Sequence, residues 1–321
     1  MLKRAVVLVM LLSVCASHEE PQADTTTMVI IEDSEEKVDF RKFDYCSVKC
    51  FGTSDKHSAC DCKLRPPRTY VQDDLVKFRQ GIIDKHNELR NMFASGDEPK
   101  EYFNGKKVGN MMVLNYDLEL EYIAKCYGGY FNSGHDTCRT THDKLLVGQN
   151  LAGNSAKQLD YQTIGVEMWY NEVQLIDSPN YAPLFTGLSP KDEKGYDLMI
   201  GHFTQVVWAS MVAVGCARVW NPENPHPSGA YKFAMICNYK PGPGGSAGNM
   251  KDANIFLEGE PCSKCPYDTK CNDKYTSLCG KLEPVPTDPL EDDQSTDKGS
   301  ERLVPSQIIS LCAFVALLYF Y

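Results

Sequence analysis

Gly201-His202-Phe203-Thr204-Gln205-Val206-Val207-Trp208 sets an imidazole immediately ahead of an apolar run that closes on an indole. The octapeptide reads as a short helix beginning inside a cleft, with His202 at its mouth. A lone Gly-His pair would more simply be a satisfied core histidine. The flanking sequence therefore has to decide what His202 is for.

Downstream, Val214 to Trp220 and Tyr231 to Tyr239 read as strands. Pro222, Pro225 and Pro227 lie between them, and proline cannot sit in a central ladder. If the two strands pair antiparallel, Cys216 and Cys237 can meet across the hairpin. Upstream, a helix over about 158–175 is expected to turn Tyr161, Ile164, Met168 and Val173 inward and to carry Glu167 and Glu172. Asp117 starts another helix, with Leu118, Ile123 and Tyr127 facing the core. Asp73 and Asp74 are placed to cap a longer one, in which Leu75, Phe78, Ile82, Ile83, His86 and Leu89 recur at helical spacing before Gly96. Helices with a few antiparallel strands give a layered α+β domain over residues 70–258. No internal repeat is present.

The ends carry a different composition. Residues 1–17 have a charged start (Lys3, Arg4), an apolar centre and small residues at Cys15-Ala16-Ser17, as a secretory signal does. Residues 18–45 are acidic and read as a spacer or pro-segment. Residues 46–69 hold a cysteine cluster, and 259–281 a second one, too short for a core of its own and so a disulfide-held appendix. An acidic linker over 282–302 leads to a hydrophobic tail over 303–321. Small residues, a polar spacer and an apolar end describe a glycosylphosphatidylinositol signal, with a single-span anchor as the alternative. The chain is expected at the extracellular face of the plasma membrane.

Of the 14 cysteines, Cys15 and Cys312 fall in the two apolar ends, and an even number remains for disulfides in an oxidising compartment. Zinc at Cys262-x-x-Cys265 and Cys271 is the competing reading. The net charge of −10 argues against nucleic acid as a partner. No Asn-x-Ser/Thr sequon occurs, so N-glycans are not expected.

Five stretches together resemble the CAP superfamily of cysteine-rich secretory, antigen 5 and pathogenesis-related 1 proteins, and its insect antigen 5 branch in particular. They are HNELR at 86–90, GHDTCR at 134–139 with VGQN at 147–150, GHFTQVVW at 201–208, CNYKP at 237–241, and DYCSVKC at 44–50 with KHSAC at 56–60. The resemblance implies a three-layer α-β-α sandwich. It also implies the bridges Cys46–Cys60, Cys50–Cys138, Cys62–Cys126 and Cys216–Cys237, with Cys262, Cys265, Cys271 and Cys279 pairing among themselves in an order left open. It places His135, His202 and Glu172 in a central cleft. The family's second acid falls on Gln149, so one negative charge and one oxygen donor are lost there.

Two imidazoles and one carboxylate (His135, His202, Glu172) can hold zinc or a similar divalent ion, loosely and exchangeably, and no cofactor is required. The same three residues would be the catalytic set of a metal-dependent hydrolase, the alternative function. No serine or cysteine stands in an elbow or triad context. The resemblance favours a non-enzymatic binder of a small lipid or sterol, or of an extracellular protein. Met168, Trp169, Tyr181, Leu184 and Phe185 are candidate groove walls, and the turn-rich segment 177–199 is a candidate lid. One departure from the family pattern is Pro241–Ala247, inserted ahead of Gly248-Asn249, which reads as a flexible loop near the end of the sheet.

Overall fold

The computed structural model describes residues 39–50, 52–98, 105–158, 161–176 and 199–289. The expected signal, most of the acidic spacer, much of the turn-rich segment with Tyr181, Leu184 and Phe185, and the hydrophobic tail lie outside them. No helix among the described residues is long and apolar enough to cross a membrane.

Two long strands, β4 (Met211–Trp220) and β5 (Phe233–Pro241), pair antiparallel, with Cys216 opposite Cys237. Strand β3 (Gly148–Asn154) extends the sheet on the free edge of β5. Short β1 (Thr69–Tyr70) pairs antiparallel and β2 (Asn115–Tyr116) parallel with β4. The proline-containing segment expected as a loop joins β4 to β5.

Both faces of β4 and β5 are buried, and the period-two alternation of a strand sorts their side chains into two cores. Val214, Cys216, Phe233, Met235, Cys237 and Tyr239 pack with α1 (Leu75–Ser95), α3 (Tyr161–Tyr170) and α4 (Gly201–Val206). Ala217, Val219, Ala234 and Ile236 pack with Ala124 and Tyr127 of α2 (Leu118–Gly128) on the other side. This is the three-layer α-β-α sandwich. At the α2 crossing, a Cβ on Gly215 would stand 2.3 Å from the Asp117 carbonyl oxygen, so only glycine admits the helix there.

Helix α1 keeps its expected face: Phe78, Ile82, Ile83 and His86 are buried, Leu75 and Leu89 partly so. It ends on Gly96 at φ 80°, the left-handed cap that glycine favours. Its start differs from expectation, because Asp74 occupies the cap position with φ 50° and makes no side-chain cap bond. In α2, by contrast, the Asp117 carboxylate accepts the Leu120 N–H at 3.0 Å.

The phase of α3 differs from the expected one. Ile164 and Met168 are 40% and 54% exposed, while Val166, Trp169, Tyr170 and Val173 are buried. Apolar residues ring this helix, so periodicity alone does not phase it. Polar anchors do: the Trp169 indole N–H donates to Leu151 O at 3.0 Å, and the Tyr170 hydroxyl donates to the buried Glu98 carboxylate. The α-helix stops at Tyr170 and a 3-10 turn, Asn171–Leu175, replaces its expected last turn.

Six disulfides join Cys46–Cys60, Cys50–Cys138, Cys62–Cys126, Cys216–Cys237, Cys262–Cys271 and Cys265–Cys279. The last two use the cysteines of the alternative zinc reading. The appendix borrows the main core, in which Tyr275 and Leu278 are buried. Two expected boundaries move. Residues from Asp39 onward already pack, Tyr45 being 2% exposed with its hydroxyl donating to Glu119 at 2.7 Å. Residues 281–289 lie along the domain as a strap, with Leu282 and Val285 against the core and Asn115 holding Lys281 O and Glu283 N–H.

His86 is fully buried; Nδ1–H donates to Ile82 O at 2.8 Å and Nε2 accepts from the Tyr239 hydroxyl at 2.9 Å. Burial pushes its pKa down to about 4 from the ordinary 6.5. The folded pKa is the lower one, so between these values the unfolded chain binds a proton that the folded chain refuses. Stability is therefore full above pH 6.5 and falls as pH drops toward 4, by about 3 kcal/mol for this group alone. In urea titrations, the stability gap between the parent and His86→Gln should narrow over that window, and a pH-independent gap would refute the assignment.

Candidate functional site

Helix α4 is the structural answer to the octapeptide. Glu172, on the 3-10 turn, caps it from outside. One carboxylate oxygen accepts the N–H groups of His202 at 2.9 Å and Phe203 at 3.0 Å, and the other takes His202 Nδ1–H at 2.6 Å. Trp169 stacks on the His202 ring, centroids 6.2 Å apart and planes 19° off parallel. Asn150 on β3 donates to His202 O at 3.1 Å. The imidazole is thus fixed in plane with Nδ1 turned to Glu172, which leaves Nε2 as its other ring nitrogen for a ligand.

His135 stands on an exposed loop and is fixed by a separate chain of amides. Asn238 Nδ2 donates to Leu120 O at 3.2 Å, and Asn238 Oδ1 accepts from Gln149 Nε2 at 3.1 Å. Gln149 Nε2 also donates to Asp136 at 2.9 Å, which leaves Gln149 Oε1 to accept His135 Nδ1–H at 2.8 Å. With the amide pinned at both ends, His135 also presents a lone pair at Nε2. The protein crowded around the ring holds its pKa below the ordinary imidazole value against the opposing bond to Gln149, and the nearby charge of Arg139 adds to the lowering.

The inserted residues 241–247 do not displace the pair that follows them. Asn249 donates to Gly201 O at 2.8 Å and accepts from the Thr204 hydroxyl at 2.6 Å. Gln205 lies between Gly148 and Gly248, where a Cβ would stand 2.4 and 2.5 Å from its Oε1.

His135 with Gln149, and His202 with Glu172, form two preorganised pairs. A compact three-ligand set of His135, His202 and Glu172 does not form. Among the described residues, the groups of three candidate ligands with donor atoms within 4.8 Å of one another are Cys262–Cys265–Cys279 and Cys46–Cys60–Asp61, whose cysteines are all in disulfides. Both Glu172 oxygens are engaged, so this carboxylate orients a ligand and does not itself fit as one. A divalent ion held at this site would take the imidazole Nε2 atoms as its protein donors, with water completing the shell. Of the candidate groove walls, Met168 is exposed and Trp169 is buried beneath His202.

Asp136, Asn150, Asn238 and Asn249 support the site and were not singled out from sequence. The first three lie inside quoted motifs, as HD, QN and CN, where a polar residue beside each functional position was the available signal. Truncating Glu172 to alanine removes the helix cap and the Nδ1 acceptor together. A loss of about 1 kcal/mol in thermal stability is expected, with divalent-ion affinity down about 10- to 100-fold in a zinc titration. Unchanged affinity would remove Glu172 from the site.

The profile of the CAP family, the cysteine-rich secretory protein family, matches residues 83–239. The "Cysteine-rich venom protein" of Tityus serrulatus is 31% identical over 236 residues, covering 72% of this chain and 52% of that protein. "Venom allergen 3" of Solenopsis invicta is 34% identical over 222 residues, covering 66% and 88%. "Venom allergen 5" of Vespula pensylvanica is 33% identical over 213 residues, covering 64% and 96%. Among solved structures, that of Na-ASP-1 is 25% identical with a TM-score of 0.48, covering 63% of this chain and 47% of that one. The chain belongs to the CAP family, with antigen 5-type venom allergens among its relatives. It spans about half the length of the first two curated relatives, 52% and 47%.

Proposed function

We propose that this is an extracellular, cell-surface-tethered CAP protein whose cleft binds a ligand without turning it over. The observation that carries the reading is the engagement of Glu172. Both of its oxygens are held by His202 and Phe203, so this carboxylate is not free to activate water. The described cysteines are all in disulfides, and the Thr204 hydroxyl is buried and donated to Asn249. A small lipid or sterol is the favoured ligand class, with an extracellular protein as the other. Ile164 and Met168, one turn apart on the outer face of α3, Leu175 on the 3-10 turn that carries Glu172, and Met199 just ahead of α4 leave apolar surface exposed along the segments around the site. A divalent ion such as zinc would bind exchangeably at the two Nε2 atoms.

Native mass spectrometry of the secreted protein, with and without added sterol and zinc, tests this. A stoichiometric sterol adduct that survives chelator and His202→Ala is the expected result. The His202–Glu172 pair at 2.6 Å is the one feature that favours a hydrolase. Hydrolysis abolished both by chelator and by His202→Ala would replace the binding reading.

A further inference from the structure

His135 also walls a second cavity, of about 460 Å³, between the amino-terminal cysteine cluster, the end of α2 and the loop around Asp136. That volume lies within the range of small-molecule sites. Its floor is polar and built in. His57 and Ser58 are each 1% exposed, and the Ser58 hydroxyl donates to the Asp136 carboxylate.

The charges on the wall can be paired off. Lys56 meets Asp61 at 3.3 Å, and Asp136 meets Arg139 at 2.8 Å. Asp55 and Arg65 remain, and neither makes an ion pair among the described residues. The Thr137 hydroxyl donates to the Asp55 carboxylate at 2.5 Å and so favours its ionised form. The Arg65 guanidinium lies over the Tyr130 ring, 5.2 Å from its centroid, and Tyr127 braces that ring edge-on at 5.3 Å. A guanidinium stacked on a ring keeps its N–H edge for a planar carboxylate.

One unpaired charge of each sign beside an aromatic wall calls for a small zwitterion. We propose that this cavity binds a free α-amino acid, its ammonium on Asp55, its carboxylate on Arg65 and its side chain along Tyr130. A ligand with a single charge leaves one of the two groups unmatched. Of the two cleft pairs only His135 touches this wall, and the proposal does not depend on what the cleft binds.

Isothermal titration of the full-length protein with L-phenylalanine, phenethylamine and 3-phenylpropanoate decides the matter. L-phenylalanine should bind at least about tenfold tighter than either analogue, a difference of about 1.4 kcal/mol. Arg65→Gln should bring L-phenylalanine down to the level of phenethylamine, and Asp55→Asn to that of 3-phenylpropanoate. Both positions are exposed, so the fold should survive, with circular dichroism as the check. An analogue binding as tightly as L-phenylalanine, variants binding like the parent, or no heat at millimolar ligand would each overturn the proposal.

Discussion

Arg90→Ala should cost about 4 kcal/mol of stability, a large share of the roughly 5–15 kcal/mol that a domain commonly has. Arg90 is fully buried and makes no ion pair among the described residues. Its guanidinium is satisfied by carbonyls instead: Met112 O at 2.6 Å, Val206 O at 2.8 Å, Trp208 O at 2.9 Å and Ala209 O at 3.3 Å. Burial disfavours the charged form and holds its pKa below the usual guanidinium value. Truncation leaves these carbonyls without donors in a dry site, at about 1–3 kcal/mol for each one that water does not reach, and opens a cavity. The damage should reach the site, because Val206 ends α4, the helix that starts with His202. Lysine cannot reproduce the fork, so Arg90→Lys should also lose about 2 kcal/mol. Denaturant midpoints measure both, and a loss below about 1 kcal/mol for Arg90→Ala would show that the carbonyls find other donors.

The second large effect is expected at Arg79. Its side chain, 0% exposed, meets Glu121, 3% exposed, through two bonds of 2.5 and 2.8 Å. Its remaining N–H groups donate to Pro286 O at 2.8 Å and Asp288 O at 2.7 Å. A buried ion pair between α1 and α2 thus also latches the strap. Removing one partner strands the other charge, so Arg79→Ala should cost about 3–5 kcal/mol. Replacing both, as Arg79→Met with Glu121→Leu, should recover much of that stability but not the strap. Hydrogen exchange at 281–289 separates the two effects. Fast exchange in both variants, with stability restored only in the double one, is expected. A protected strap in the double variant would show that Leu282 and Val285 hold it unaided.

Much of this molecule is legible in the chain because the relevant physics is local. Asp117 caps α2 as its position suggests, Gly96 ends α1, and the segments 214–220 and 231–239 read as strands, whose burial on both faces only the fold shows. HNELR is equally readable as a block, although its work is structural. His86 and Arg90 are used as described above, and Asn87 clamps the Leu114 backbone through both its N–H and its carbonyl. The phase of α3 was not legible. Apolar residues on several sides leave its burial to Trp169 and Tyr170, whose partners, Leu151 and Glu98, are 18 and 72 residues away in sequence.

The candidate site divides along the same line. The pattern of elements and cysteines gave an α+β domain rich in disulfides, and the resemblance carried by the motifs pointed to His135, Gln149, Glu172 and His202. Which hydrogen-bond partners each has was decided by tertiary contacts. Glu172 became a helix cap because α4 begins within reach of a 3-10 turn 30 residues earlier in the chain. Gln149 became an orienter because β3 and β5 set it beside Asn238. The strap over 281–289 had the composition of a linker, and the carbonyl-binding face of a buried Arg79, with Asn115 and the core contacts of Leu282 and Val285, turned it into part of the domain. Sequence fixes which groups exist and their local geometry, whereas hydrogen-bond satisfaction between distant segments assigns each polar group its partner.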